Sequence, residues 1–186
     1  MGIFRIQKKE KWEEIEKFIR TKNIKYLYHF TDFANLKSIR EHGGLCSWYY
    51  CECNKIVIPK PGGNELSRDL DLNNRAENFV RLSFIEDPPM LHVMKRDGRI
   101  DKEIFIKVDI EVLFWEYTLY ANRNATEKGD KLNIGGKLED LKQIQFHLFK
   151  KKYFNLSYEE KKYYQAEILV YEKIPIKYLK KFYYYK

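Results

Sequence analysis

The clearest pattern in the sequence is a change in the spacing of apolar positions within residues 26–39. Residues 26–30 alternate large apolar and polar side chains, which is typical of a half-buried strand. Apolar residues then recur at helical spacing up to residue 39, and Thr31 or Asp32 can cap the helix that contains them. The sequence therefore predicts a strand, a cap and a helix in immediate succession.

The same two spacings predict further elements along the chain. Helical spacing indicates an amphipathic helix over residues 10–21 and a weaker one over residues 138–149. Ser157 and Glu160 match a capping box, which opens another short helix. Two-residue alternation and apolar runs predict strands at residues 78–84, 91–94, 103–110, 117–121 and 165–171, and a short strand or a loop within residues 45–53.

Glycine and proline mark the ends of these elements. Gly43 and Gly44 should end the helix that follows the first strand, because glycine adopts the left-handed C-cap conformation. Residues 59–64 are dense in proline and glycine and are predicted to form a loop. Asp97 and Gly98 predict a hairpin turn between two strands.

The composition limits the class of protein. The chain has 186 residues, of which 44% are hydrophobic, which fits one domain over residues 1–186 with a real core. The sequence contains no apolar run long enough to cross a bilayer, and its first twenty residues carry charges throughout. We therefore expect a cytoplasmic protein without membrane contact.

The charge and the ring content point weakly to nucleic acid. The formal net charge is +8, and the chain has 15 Tyr and 12 Phe. Cations neutralise phosphates and aromatic rings stack on bases, so this composition suits single-stranded nucleic acid. An AT-rich genome favours the same residues, and the composition alone changes the expectation only modestly.

The cysteines do not indicate a metal site. Cys46, Cys51 and Cys53 are odd in number, which argues against a disulfide framework. Their spacing lacks a clear fourth ligand, although His42 or His92 could be recruited. We therefore expect no metal cofactor.

Candidate chemistry begins at the end of the first strand. His29 and Thr31 lie where this strand gives way to a helix, whose first backbone N–H groups are unpaired and attract phosphate. An imidazole and a hydroxyl beside them can hydrogen-bond a ribose or a carboxamide. This stretch is interpreted as the floor of a nucleotide pocket, and the plain alternative is a capped helix with an ordinary, partly buried histidine.

Two charged residues complete a possible catalytic set. Glu167 lies among apolar residues, where a carboxylate is costly unless it is paired or used. Arg68 follows the loop at residues 59–64, and its guanidinium could hold a pyrophosphate or simply pair with Asp69 or Asp71. A glycosyl bond to a cationic leaving group breaks through an oxocarbenium-like state, which a carboxylate can stabilise.

Several segments together resemble the DarT family, bacterial NAD-dependent ADP-ribosyltransferases that modify bases in single-stranded DNA. They occur in the family's order and span residues 26–171. The matching segments are residues 28–31 with 35–39, 79–84 with 89–91, 122–125, and 165–170.

The resemblance implies an α+β fold of the ADP-ribosyltransferase type, with a mixed central β-sheet flanked by helices. It implies NAD as co-substrate, single-stranded DNA as substrate, and a partner antitoxin with a macrodomain that reverses the action of the toxin. The residues it assigns are Glu167 and Arg68 for catalysis, with Arg75 as the second choice for the arginine, and His29, Thr31, Asn35 and Arg68 for NAD binding.

The resemblance also makes residues 122–164 the substrate-recognition segment, and Asn122 and Arg123 are then candidate DNA contacts. This segment differs in length and content from the family pattern, so the target base, thymidine or guanosine, stays open. Two alternatives remain: an ADP-ribosyltransferase that acts on RNA or protein, and a catalytically silent nucleic-acid-binding module of the same fold.

Overall fold

The computed structural model describes residues 6–63 and 76–184, and a large β-sheet lies at its centre. The strands found there are β1 (Tyr26–Asp32), β2 (Gly44–Cys46), β3 (Phe79–Ser83), β4 (Glu103–Asp109), β5 (Leu119–Ala121), β6 (Ile134–Gly135), β7 (Glu167–Tyr171), β8 (Lys173–Pro175) and β9 (Leu179–Tyr183). Seven of them form one sheet in the order β6–β5–β7–β3–β1–β4–β9, and β2 pairs with β8.

The expected α+β fold with a central sheet and flanking helices is confirmed, and the strand directions add a detail. Every pairing between the described strands is antiparallel, so this part of the sheet is not mixed. The helices connect strands that are not neighbours in the sheet. No described pair therefore has the crossover connection that parallel neighbours require.

The helices surround the sheet and are mostly short. The α-helices are α1 (Trp12–Thr21), α2 (Leu36–Glu41), α3 (Trp48–Cys53), α4 (Pro89–Arg96), α5 (Leu138–Lys142) and α6 (Tyr158–Tyr163). Short 3₁₀ turns cover Phe33–Asn35, Ile110–Phe114, Phe146–Lys150, Tyr153–Asn155 and Ile176–Tyr178. In the structure, none of the helices among the described residues is long and apolar enough to span a bilayer.

Several predicted boundaries are confirmed. Ser157 Oγ accepts a bond from the Glu160 backbone N–H, and the Glu160 carboxylate accepts one from the Ser157 backbone N–H, so the capping box is present. Gly43 has φ of +68° and follows α2 as predicted. A Cβ on Gly44 would lie 2.1 Å from the carbonyl oxygen of Ile174, so the pairing of β2 with β8 requires glycine there.

Two predicted strands are wrong or incomplete. The apolar run at residues 91–94 belongs to helix α4, which Pro89 opens at its first position. Gly98, with φ of +69°, ends that helix and does not form a hairpin turn. Within residues 45–53 the strand stops at Cys46, and Ser47 then caps helix α3 by accepting from the Tyr50 N–H.

The core lies mainly on one face of the sheet. Ile104, Ile106 and Val108 point into it, together with Ile15 and Ile19 of α1. The opposite face carries two smaller clusters, one where α4 packs on Phe105 and one formed by Ala121, Ala125 and Leu169. The face opposite the main core is thus covered in two separate patches.

Candidate active site

The large sheet divides between β1 and β3. Strand β1 pairs with β4 at all seven of its positions, but among the described residues it pairs with β3 only at Tyr28 and Ser83. A cavity of about 340 Å³ lies beside this junction and is lined by residues of both strands, by α2 and by the start of β7. His29, Thr31, Asn35 and Glu167, which the sequence analysis singled out, all line it.

His29 bridges the gap between the two diverging strands. Its Nδ1 lies 3.1 Å from the carbonyl oxygen of Arg81, and a carbonyl can only accept. Nδ1 therefore carries the proton, and Nε2 is left as an acceptor. Removal from water lowers the pKa of His29 and outweighs the opposing effect of the carbonyl, so the imidazole is neutral at pH 7.

Thr31 and Asn35 form one hydrogen-bonded unit with the loop at residues 59–63, called the proline-rich loop below. Asn35 Nδ2 donates to Thr31 Oγ1 at 2.9 Å and to the Lys60 carbonyl at 2.7 Å. The Lys60 backbone N–H returns a bond to Asn35 Oδ1 at 2.9 Å. The buried Asn35 amide thus fixes this loop to the strand end, and the Thr31 hydroxyl proton is free to point elsewhere.

Asp32 is the residue that caps the turn after β1. Its Oδ1 accepts from the Ala34 N–H, and its Oδ2 accepts from the N–H groups of Asp101 and Lys102 at 2.8 and 3.1 Å. Burial alone would raise the pKa of Asp32, but these donors and the Lys60 ammonium lower it overall. The Asp32 carboxylate therefore fixes the backbone next to Thr31.

Glu167 is the first residue of β7, and residues in the described part of the chain hold its carboxylate. Oε2 accepts from the Ala125 backbone N–H at 2.8 Å and lies 3.3 Å from Nη1 of Arg81. The Glu167 side chain is 18% exposed, so it faces the cavity without being surrounded by water. An ion pair and a backbone donor offset the cost of placing a carboxylate there.

Arg81 is a site residue that the sequence did not predict. It occupies the predicted strand at residues 78–84, two positions before Ser83, and so lies on the same side of β3 as Ser83. Ser83 is paired with Glu167, which brings the guanidinium to the carboxylate. The alternation of polar and apolar residues in this strand places Arg81 on its polar face. The pairing of the strand with β7, which brings Arg81 to Glu167, could not be deduced from the sequence.

Arg68 and Arg75, the two candidates for the catalytic arginine, lie outside the described residues. Cations that line the cavity within the described part include Lys60, Arg81 and Arg99. Arg99 Nη1 donates to the Gly62 carbonyl at 3.0 Å, so a second contact ties the proline-rich loop to the cavity wall.

The structure places Asn122 and Arg123, the two predicted DNA contacts, away from solvent. Asn122 is 4% exposed and bonds to the backbone of Lys131 and Asn133. Arg123 is 1% exposed, pairs with Glu127 at 3.1 Å and Glu159 at 3.2 Å, and stacks on the ring of Tyr163. Both side chains are turned inward and fold the segment at residues 122–164.

The cysteines are free thiols. A hydrogen bond between Cys46 and Cys51 lowers the pKa of the first thiol and raises that of the second. Within residues 6–63 and 76–184, no group of three or more His, Cys, Asp or Glu side chains is arranged to hold a metal ion.

A family profile decides the class of this chain. The profile described as "ssDNA thymidine ADP-ribosyltransferase, DarT" matches residues 28–186. The chain belongs to the DarT family. The resemblance drawn from the sequence is thereby confirmed over a span that includes β1, the divided sheet and β7.

Solved DarT structures share the fold. Thermus sp. 2.9 DarT in complex with ADP-ribosylated ssDNA has a TM-score of 0.71 at 17% identity, covering 88% of this chain and 83% of that one. The same enzyme in complex with NAD+ gives 0.65 at 16% identity, with the same coverage. Thermosipho africanus DarTG in complex with ADP-ribose gives 0.70 at 20% identity, covering 87% of this chain and 44% of that one. No curated protein sequence gives a significant match.

The geometry of this DarT-family chain suits group transfer from a dinucleotide. The cavity wall offers a neutral imidazole and a hydroxyl from β1, and a carboxylate of β7 that is held by an arginine of β3. A cavity of this kind can bind a polar ligand at several points and present one carboxylate to a developing cation.

Proposed function

We propose that this protein transfers ADP-ribose from NAD to thymidine in single-stranded DNA and releases nicotinamide. The observation that carries the proposal is the joint placement of His29 and Glu167 on one cavity at the divided sheet. The family match supports the reaction class, and its description supports thymidine over guanosine as the target.

In this proposal, β1 and the proline-rich loop bind the donor. The unprotonated Nε2 of His29 accepts from a ribose hydroxyl, and the Thr31 hydroxyl donates to a second oxygen of the ligand. Asn35 acts mainly by fixing Thr31, because its two amide protons are already used. Arg68 holds the diphosphate, with Arg75 as the alternative, because a guanidinium matches phosphate geometry.

The reaction follows from the position of Glu167. The bond between the ribose C1′ and the nicotinamide nitrogen breaks, and the electron pair leaves with the nicotinamide. The Glu167 carboxylate stabilises the oxocarbenium-like ribose, and the thymine N3 forms the new bond to C1′. N3 is the ring nitrogen of thymidine that bears a proton, and Glu167 takes up that proton during attack.

Mass spectrometry of oligonucleotides tests this proposal. The protein is incubated with NAD and single-stranded oligonucleotides of matched length, with and without thymidine. We expect an added ADP-ribose mass on the thymidine-containing strands only. The Glu167→Ala variant should abolish the product, while Glu13→Ala, an exposed change on α1, should leave the rate unchanged.

Three results would contradict the assignment. Equal modification of a thymidine-free strand would exclude thymidine as the target base. Full activity of Glu167→Ala would exclude Glu167 as the catalytic residue. Transfer of label to tRNA, mRNA or lysate proteins offered beside inactive oligonucleotides would replace DNA as the substrate.

We also propose a toxin role in the cytoplasm, where NAD and DNA are both available, with a macrodomain antitoxin as partner. The likeness to a chain named DarTG supports a toxin of this type. Induced expression should block growth, and co-expression of a macrodomain ADP-ribosyl hydrolase should restore it. Growth arrest by the Glu167→Ala variant as well would contradict the enzymatic origin of the toxicity.

A further inference from the structure

One row of paired residues crosses five strands of the large sheet and ends at Glu167. Glu167 pairs with Ser83, Ser83 with Tyr28, Tyr28 with Lys107, and Lys107 with Lys181. Directly paired residues of antiparallel strands project to the same face of a sheet. The carboxylate, a tyrosine and two lysines therefore lie on one face, in a line perpendicular to the strands.

The dimensions of the row suit a flexible polymer. Neighbouring strands are separated by about 4.8 Å, so Lys107 starts about 14 Å from Glu167 and Lys181 about 19 Å from it. A few nucleotides of an extended single strand span this length. The row thus connects the reacting carboxylate to a basic edge of the described sheet.

The row is accessible to solvent. Each of its five members is partly or fully exposed. The cluster under α4 covers Phe30 and Phe105 on this face, and the cluster around Leu169 covers part of β7. The members of the row belong to neither cluster.

The chemical character of the row matches single-stranded DNA. The ammonium of Lys107 lies 5.6, 5.8 and 5.2 Å from the ring centroids of Tyr26, Tyr28 and Tyr183. Cations set among rings offer phosphate neutralisation and stacking at the same place. Of the acidic groups nearby, Asp109 is paired with Lys180 at 2.8 Å. Burial raises the pKa of Tyr28, and the nearby Glu86 raises it further.

We propose that the DNA on one side of the target base lies along this row, with its phosphates at Lys107 and Lys181 and a base on Tyr28. The inference rests on the proposed function, since it concerns the same reacting carboxylate. The contact surface for the flanking strand starts at the cavity wall, which includes Tyr28, Ser83 and Glu167, and continues beyond it to Lys107 and Lys181. One flank of the target should therefore contribute to binding, and the other should not.

Oligonucleotide length provides the test. A short strand bearing the target thymidine is compared with strands extended by six nucleotides on the 5′ side or on the 3′ side. For the wild type we expect extension on one side to lower the KM for DNA about tenfold. The Lys107→Gln/Lys181→Gln variant should lose this gain and keep its kcat, its KM for NAD and its KM for the short strand.

Salt and a matched variant complete the test. Removing two phosphate contacts should reduce the slope of log affinity for the long strand against log salt by about 1.4. Lys11→Gln/Lys17→Gln, at the start of α1 and within it, removes the same charge from the opposite side of the sheet and should change neither quantity. The proposed DNA contact along the row would be wrong if Lys107→Gln/Lys181→Gln still had a lower KM for the extended strand than for the short one. It would also be wrong if the variant raised the KM of short and long strands equally. Absence of any modified strand with the wild type would instead overturn the proposed function.

Discussion

In the half of the sheet formed by β1, β4 and β9, the polar side chains at the cavity are held mainly by backbone groups. His29 bonds to a carbonyl, Asn35 to a carbonyl and an N–H, and Asp32 to three N–H groups. In the other half, ion pairs hold the charged side chains, although Glu167 also accepts from the Ala125 N–H and Asn122 bonds to backbone groups. Arg81 pairs with Glu167, and Arg123 pairs with two glutamates.

This difference matters because backbone partners stay in place when one side chain is replaced, whereas an ion pair leaves an uncompensated charge. The donor-binding half should therefore tolerate substitution with modest loss of stability. The half that holds Glu167 should respond to substitution more strongly, in catalysis or in folding. In the described part of the chain, Tyr28 and Ser83 form the single paired position between the two halves.

The largest effect is expected at the carboxylate itself. Glu167→Gln keeps the size of the side chain and removes the charge that faces the developing oxocarbenium ion. We expect kcat to fall by about 10²–10³-fold, with little change in the affinity for NAD. Single-turnover kinetics and NAD titration measure the two quantities. A similar loss of NAD affinity would place the role of Glu167 in binding and not in catalysis.

Loss of the buried guanidinium should have the next largest effect, on folding. Arg123→Met keeps much of the packing on Tyr163 but removes the buried partner of Glu127 and Glu159, which retain Lys162 at 3.2 and 3.8 Å. Because Glu159 is half exposed, we expect a loss of about 2–3 kcal/mol, below the range for a fully buried pair. Denaturant unfolding measures it, and Arg20→Met, on the exposed face of α1, is the matched control. An unchanged unfolding midpoint would show that the segment at residues 122–164 folds without this arginine.

A smaller effect on catalysis is expected at Arg81, whose guanidinium positions Glu167. Arg81→Gln removes the charge, and Arg81→Lys keeps it without the fork geometry. We expect kcat to fall about 10–100-fold in the first variant and less in the second, with KM for NAD nearly unchanged. The pH dependence of kcat separates positioning from stability, because loss of a cation beside the carboxylate should move the acid limb to higher pH. An unchanged pH dependence of kcat would show that the contact between Arg81 and Glu167 serves only the structure.

The comparison also explains what the sequence could predict. The strand at residues 26–30, a cap at Thr31 or Asp32 and the strand at residues 165–171 depend on neighbours in sequence, and local patterns predicted them. Arg81 meets a partner 86 residues away, through a pairing register that no local pattern specifies. The same holds for Arg123, whose partner Glu159 is 36 residues away. A charged residue on the predicted substrate segment therefore suggested a DNA contact, although it is buried.

The strand predicted at residues 91–94 was wrong for a different reason. A run of four apolar or ring-bearing residues fits a strand and a helix equally well, and length alone cannot separate the two. The prolines at positions 88 and 89 favoured a helix start, because the first helical positions lack backbone acceptors for their N–H groups. The same prolines also fit the end of the preceding strand, and Asp97 with Gly98 also fits a hairpin turn, so the local pattern favoured a strand here.

The smallest effect concerns the pH dependence of stability in the backbone-held half. The pKa of His29 is lowered by removal from water, whereas an unfolded histidine titrates near about 6.5. Between these two values the unfolded chain takes up a proton that the folded chain does not. The contribution of His29 is therefore complete above pH 6.5 and is lost as the pH falls, by up to about 1.4 kcal/mol per pH unit.

Unfolding free energies measured from pH 5 to pH 8 test this sign. The His29→Gln variant should have a flatter profile below pH 6.5 than the wild type, because its amide does not titrate. Gln143→Asn, an exposed change that removes no ionisable group, should keep the slope of the wild type. A His29→Gln profile parallel to that of the wild type would mean that this ring is protonated equally in both states. The donor-binding half would then accommodate a buried charge as readily as the half that contains Glu167, and the contrast between the two halves would fail.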